Sequence, residues 1–203
     1  SLMSADTLGV TIKAISPWTG DAVTVNLAPA SLPWGQIVNN SYVEDPTLPL
    51  TSNGYPLKDA ATIIVPKGYP SGQYAVSYTG QATVSFGRIG TLTTPFTLGD
   101  DGRYHGVLTI DQSLVPQGGS LYIYAKNLNS ANPFGDLRII TPGYAEDTEQ
   151  VFTNQFLAAM EPYSTLRFME WNITNNSLQT SWDARATMDD FSWSRGAGMP
   201  YET

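Results

Sequence analysis

Gly72-Gln73-Tyr74-Ala75-Val76-Ser77-Tyr78-Thr79-Gly80 decides the fold class. Tyr74, Val76 and Tyr78 share one parity, Ala75 and Ser77 the other, and a period of two is what a strand with one buried face produces. The same alternation recurs on both sides. Val23, Val25 and Leu27 alternate with Thr24 and Asn26; Val84 and Phe86 flank Ser85; Tyr104, Gly106, Leu108 and Ile110 share a parity. Leu121, Ile123 and Ala125 oppose Tyr122, Tyr124 and Lys126. With further apolar runs at residues 8–15, 61–65, 92–98 and 137–140, about eight or nine strands are expected. Asn53-Gly54, Pro70-Ser71-Gly72, Thr79-Gly80, Asp101-Gly102 and Gly118-Gly119 supply the turns between them. No long helical pattern interrupts the series, so a mainly β chain is expected, built as an antiparallel jelly-roll-like β-sandwich. Residues 29–56 hold Pro33-Trp34-Gly35 and Asn39-Asn40-Ser41 with little periodicity, and are expected to form a long loop that binds a ligand or covers a sheet edge.

The pattern changes at Pro142-Gly143. Asp147, with Gln150 three positions on, fits a capping box opening a helix over 147–161, and Pro162 ends it. Phe152, Phe156, Ala159, Met160 and Tyr163 form its apolar stripe. The strand-like Leu166-Arg167-Phe168-Met169-Glu170-Trp171 and a polar stretch follow. Helix, strand and long loop is the rhythm of a (β/α) barrel entered at its first strand, and the chain stops at Tyr201-Glu202-Thr203, where a further helix would open. The expected organisation is a flexible, cloning-derived leader at 1–7, marked by Ser1-Leu2 before Met3, a β-sandwich at 8–142, and a short α/β segment at 143–203 that begins a truncated barrel.

Composition narrows the function. Ten Lys and Arg face eighteen Asp and Glu, and the net charge of −8 disfavours a nucleic-acid partner, which needs clustered cations. No apolar run reaches the roughly 18–20 residues that span a bilayer, so no membrane partner is expected. The chain has no cysteine, which excludes disulfides, thiolate metal sites and cysteine nucleophiles. Low charge, 14% of residues, with 18 Gly and 14 Pro is common in extracellular and virion β-proteins. Secretion is therefore expected, with a virion location as the alternative.

Pro142-Gly143-Tyr144, Thr148-Glu149-Gln150-Val151-Phe152, Leu166-Arg167-Phe168-Met169-Glu170-Trp171, Thr174-Asn175-Asn176-Ser177 and Trp182 resemble a largely uncharacterised family of glycoside-hydrolase-like proteins of environmental bacteria and phages. Upstream, Asn53-Gly54-Tyr55-Pro56 and Gly72-Gln73-Tyr74-Ala75-Val76-Ser77-Tyr78 also resemble it. These proteins place a β-sandwich before a (β/α)8 barrel. The resemblance implies a carbohydrate-related role for the parent protein, and supplies no catalytic residue here.

Glycoside hydrolysis needs two carboxylates facing one bond, roughly 5–10 Å apart. Glu170 stands near the end of the candidate first barrel strand, where barrel active sites form, or else simply pairs with Arg167 or a nearby Arg. Asp183, Asp189 and Asp190 follow, but none is singled out as its partner. His105 is the only histidine, and no G-x-S-x-G elbow accompanies it, so it reads as a strand histidine. Asp100-Asp101-Gly102 reads as a turn, with a structural calcium site as its alternative; no other cofactor or metal is expected. Aromatic side chains are the stronger lead, because their faces stack on sugar C–H surfaces. Trp18, Trp34 and Tyr55 lie in loops, while Tyr122 and Tyr124 share one strand face as a flat platform; packing in a sandwich core is the alternative for each. The expectation is a non-catalytic carbohydrate-binding or accessory module whose partner is a polysaccharide or other glycan. The alternative is a phage virion structural or receptor-binding protein, with homo-oligomer or virion partners.

Overall fold

The alternating runs settle as strands because each apolar parity meets a facing sheet. The computed structural model describes residues 2–4, 11–13, 23–25, 33–66, 68–117, 119–165 and 179–191. One sheet holds β3 (Gly35–Val38), β4 (Ser41–Glu44), β5 (Ala60–Ile64), β7 (Thr83–Arg88) and β10 (Leu121–Lys126) in the order β4-β3-β5-β10-β7. The other holds β6 (Gly72–Thr79), β8 (Gly90–Leu98), β9 (Tyr104–Ile110) and β11 (Gly135–Ile140) in the order β11-β6-β9-β8. Every pairing in both is antiparallel. From β5 to β8 each successive strand changes sheet, giving the expected jelly-roll-like β-sandwich. Residues 2–4, expected as a flexible leader, form a separate ladder: β1 (Leu2–Ser4) pairs antiparallel with β2 (Thr11–Lys13).

The core lies between the two larger sheets. Ile64, Val84, Leu121, Ile123 and Ala125 enter it from one side, and Tyr74, Val76, Tyr78, Leu108, Ile110 and Ile139 from the other. One part of it is aromatic: Phe134 meets Trp34, Tyr55 and Tyr78 edge-on at 6.1, 5.4 and 5.6 Å between ring centres. Two buried tyrosine hydroxyls find acceptors, Tyr74 donating to the Pro70 carbonyl at 2.5 Å and Tyr78 to that of Ala82 at 3.0 Å.

Two expectations about local structure are corrected. The stretch 29–56 is not one long loop, because β3 and β4 form a hairpin at the sheet edge. Asn39 and Asn40 turn it with φ of 49° and 62°, the left-handed pair that a tight hairpin requires and that Asn tolerates. The helix is also shorter than 147–161. It runs as α1 (Asn154–Met160), and Thr153 rather than Asp147 caps it, its Oγ1 accepting from the Phe156 N–H. A long-range backbone bond outcompetes the capping box: the Val151 carbonyl accepts from the Val23 N–H at 2.9 Å, which holds the preceding residues out of the helix. Gln150, the expected box partner, instead donates through Nε2 to the Phe152 carbonyl and Asn154 Oδ1. Of the predicted stripe, Phe156 is buried with Phe152 4.7 Å away, whereas Phe152 and Met160 are half-buried.

Residues after Pro142 are tied to the sandwich at several points. Val23 lies between the two parts, its carbonyl accepting from the Thr141 N–H at 3.0 Å while its N–H reaches Val151. Phe191 is buried against Trp34 and Tyr55 at 4.7 and 5.5 Å. The expected strand 166–171, with Glu170, lies outside the described residues, as does Trp18. No helix among the described residues is long and apolar enough to cross a membrane.

Candidate functional site

The aromatic residues singled out in the sequence separate into two groups. Trp34 and Tyr55, expected as exposed sugar-stacking rings, are 3% and 4% exposed and belong to the aromatic core. Their loops fold inward because such large rings remove more apolar surface from water there than at the rim. Tyr55 is further fixed by its hydroxyl, which accepts from the Leu137 N–H at 3.0 Å. Neither ring offers a free face to a sugar.

Tyr122 and Tyr124 keep the strand parity opposite to the core, on the outer face of β10. Their ring centres are 6.3 Å apart but their planes are inclined by 52°, so the flat platform expected of them does not form. Cross-strand register sets Ile63 and Gly87 beside Tyr122, and Ala61 and Ser85 beside Tyr124. Gly87 matters for space: a Cβ there would lie 3.3 Å from the Tyr124 ring and 3.7 Å from the Tyr122 Cβ. The Arg88 guanidinium sits 5.1 Å above the Tyr122 ring centre and donates to the Asn40 carbonyl of the β3–β4 turn. Lys126 Nζ lies 6.0 Å from the Tyr124 ring centre. Along β10 the order is therefore cation, ring, ring, cation. Tyr122 is covered to 9% exposure, and Tyr124 stays half-open. Arg88 and Lys126 were not among the residues expected at the site. Lys126 shares the tyrosines' parity and was legible; Arg88 was not, because its φ of 66° swings it out of strand alternation. Another exposed ring lies in the tail: Trp182 is 61% exposed, with the Arg185 guanidinium 4.3 Å from its centre.

Ionisable groups gather on the outer face of the other sheet, around a shallow cleft of about 260 Å³. His105 Nδ1 lies 2.5 Å from Glu146 Oε1, and its Nε2 lies 3.0 and 3.1 Å from the two Asp101 oxygens. Both ring nitrogens face carboxylates, so both donate, which only the imidazolium can do. Hydrogen bonding to Asp101 first, and then to Glu146, holds the His105 pKa above its ordinary 6.5. The bond from His105 and that from the Arg103 N–H hold the Asp101 carboxyl below its usual range. Asp101 thus closes the turn between β8 and β9, as the turn reading of Asp100-Asp101-Gly102 expected. Arg103 is occupied as well, donating to Ser77 Oγ, to the Asp136 carbonyl and to the Asp136 carboxylate, while Arg138 takes the other Asp136 oxygen. The arrangement is one of mutually satisfied charges.

The sign of its pH dependence follows. A raised histidine pKa contributes stability that is complete below the ordinary value and is lost as pH rises through the raised one. The depressed Asp101 contributes above its ordinary value and loses it as pH falls through the depressed one. The tie from Glu146 to the sheet is expected to be strongest between those limits. Because His105 is the only histidine, its proton resonance reports the site without assignment. It should titrate above 6.5 in the native protein and return to the ordinary value in Glu146→Gln/Asp101→Asn. An unshifted native titration would refute the bridge.

A second cleft, of about 180 Å³, lies where the tail meets the sandwich, lined in part by Asp136, Arg138, Glu149 and Asp189. Among the described residues, no group of three or more His, Asp or Glu is arranged to hold a metal ion. Comparison with family models, with curated proteins and with solved structures finds no match for this chain.

Proposed function

We propose that this chain is a non-catalytic glycan-binding β-sandwich, the accessory part of an extracellular glycoside-hydrolase-like protein. The observation that carries the reading is the half-open Tyr124 ring on the outer face of β10, beside Gly87 and the covered Tyr122 and flanked by Arg88 and Lys126. A half-open ring gives a sugar an apolar face, and the neighbouring side chains bind its hydroxyls, so useful affinity arises without deep burial. The histidine site is consistent with a non-catalytic reading, since both His105 ring nitrogens are engaged by the carboxylates of Asp101 and Glu146. Calorimetry against a panel of plant and algal polysaccharides tests the reading. Tyr124→Ala is expected to weaken binding about tenfold with the melting temperature nearly unchanged. Loss of binding in Trp182→Ala and not in Tyr124→Ala would move the site to the tail. A parallel reducing-sugar assay should stay flat, and robust turnover by the purified chain would refute the non-catalytic reading.

A second reading, a virion module in which the sandwich mediates assembly, is favoured by the edge strand β4. Its outward face carries Val43, and Val38 lies beside it on β3, both half-exposed. An open edge with apolar side chains is suited to pairing with another chain. Light scattering that gives a monomer at all concentrations would count against it.

A further inference from the structure

We infer that the glycan bound at this row is acidic, a polysaccharide bearing carboxylate or sulfate groups. The inference rests on the binding row proposed above and adds the charge of its ligand. Its basis is the distribution of cations. Acidic residues outnumber basic ones across the chain, yet the row carries two cations, and the residues paired beside its rings, Ala61, Ile63, Ser85 and Gly87, carry no carboxylate. Among the described residues neither Arg88 nor Lys126 forms an ion pair, whereas Arg103 and Arg138 are both bound to Asp136. Both side chains of the row are exposed, so their charge faces solvent.

The backbone at Arg88 gives independent support. Among the described residues, those other than glycine with positive φ are Asn39, Asn40, Asn127, Asp136 and Arg88. Asn and Asp tolerate the left-handed region through short polar side chains; Arg has no such advantage there. Strand register pairs Arg88 with Leu121, a core residue, so regular alternation would turn its side chain inward. The left-handed turn brings the guanidinium to the opposite face, above Tyr122, where the Asn40 carbonyl holds one nitrogen. A strained backbone that delivers one charged group to one surface is the kind of outlier found at ligand sites. The planar fork of Arg88 is suited to a two-oxygen anion, and Lys126 supplies a point charge at the other end of the row. From residue 122 to 126 the strand advances roughly 13 Å, room for successive sugars to place an anion at each end.

Paired polymers that share a backbone test the charge directly. Polygalacturonate is compared with its fully methyl-esterified form, and dextran sulfate with dextran; xyloglucan and galactomannan serve as neutral references. At least one charged member is expected to bind about tenfold more tightly than its neutral partner, and which pair shows it separates carboxylate from sulfate. Raising salt from 0.05 to 0.5 M should remove most of that difference, since screening shortens to a few ångströms. Lys126→Gln and Arg88→Asn, the latter chosen because Asn accepts the same φ, should each reduce acidic binding about tenfold. The same two variants should lower acidic binding more than any neutral-glycan binding, so that the preference for the charged polymer falls toward one. Neutral glycans binding as well as their charged partners would overturn the inference and leave the glycan reading standing. No binding to any polymer would overturn both. Tighter binding to a single-stranded oligonucleotide than to every acidic glycan would assign the row to a different partner and overturn the inference.

Discussion

Phe134→Ala is expected to remove about 4 kcal/mol of stability, the scale of deleting a fully buried phenylalanine. Phe134 is 1% exposed and touches Trp34, Tyr55 and Tyr78 together, so its loss opens a hole bounded by three rigid side chains. Rigid walls collapse poorly, which puts the change toward the upper part of the usual range. Domains have only about 5–15 kcal/mol in total, so the variant retains little reserve. A melting temperature about 8–16 °C lower is expected for a chain of this size. A drop of only a few degrees would mean that the aromatic end of the core is loosely packed.

The second large effect is a comparison of two glycines with one backbone conformation. Gly80 and Gly102 both have φ of 79°. A Cβ on Gly80 would lie 1.9 Å from the Pro133 carbonyl oxygen, a backbone atom, whereas a Cβ on Gly102 meets nothing within 4 Å. Gly102→Ala should therefore cost only the left-handed penalty of about 1–2 kcal/mol. Gly80→Ala adds a backbone collision and also disturbs the Gln81 N–H bond to the Asn132 carbonyl, so about 3 kcal/mol or more is expected. Urea unfolding of the two variants side by side measures the collision as their difference. Equal losses would show that the Gly80 turn relaxes freely.

The strands were legible because burial enforces parity: Tyr74, Val76 and Tyr78, or Leu121, Ile123 and Ala125, fill the core as their alternation requires. The β3–β4 hairpin was missed because its outward face carries Val38 and Val43, which erases the period, although Asn39-Asn40 marks the turn. The helix start was misread because local capping signals at Asp147 and Gln150 say nothing of a distant Val23 that claims the Val151 carbonyl. Of the candidate site, the shared outer face of Tyr122 and Tyr124, though not a flat platform, followed from strand parity. The burial of Trp34 and Tyr55 did not, since an aromatic residue in an irregular stretch has no periodicity to show which way it points. The approach of Arg88 depends on a dihedral angle that no residue pattern encodes.

The packing of Phe191 on Trp34 and Tyr55 has a bearing on how the protein is made. About 160 residues separate the first ring of that contact from the last, roughly 10–30 s of ribosomal synthesis at usual rates. Throughout that interval the strands of both sheets can emerge and pair while the pocket around Trp34 still lacks its final ring. The nascent chain thus carries an open aromatic hollow until nearly the whole described sequence has left the ribosome, and holding chaperones would find their grip there.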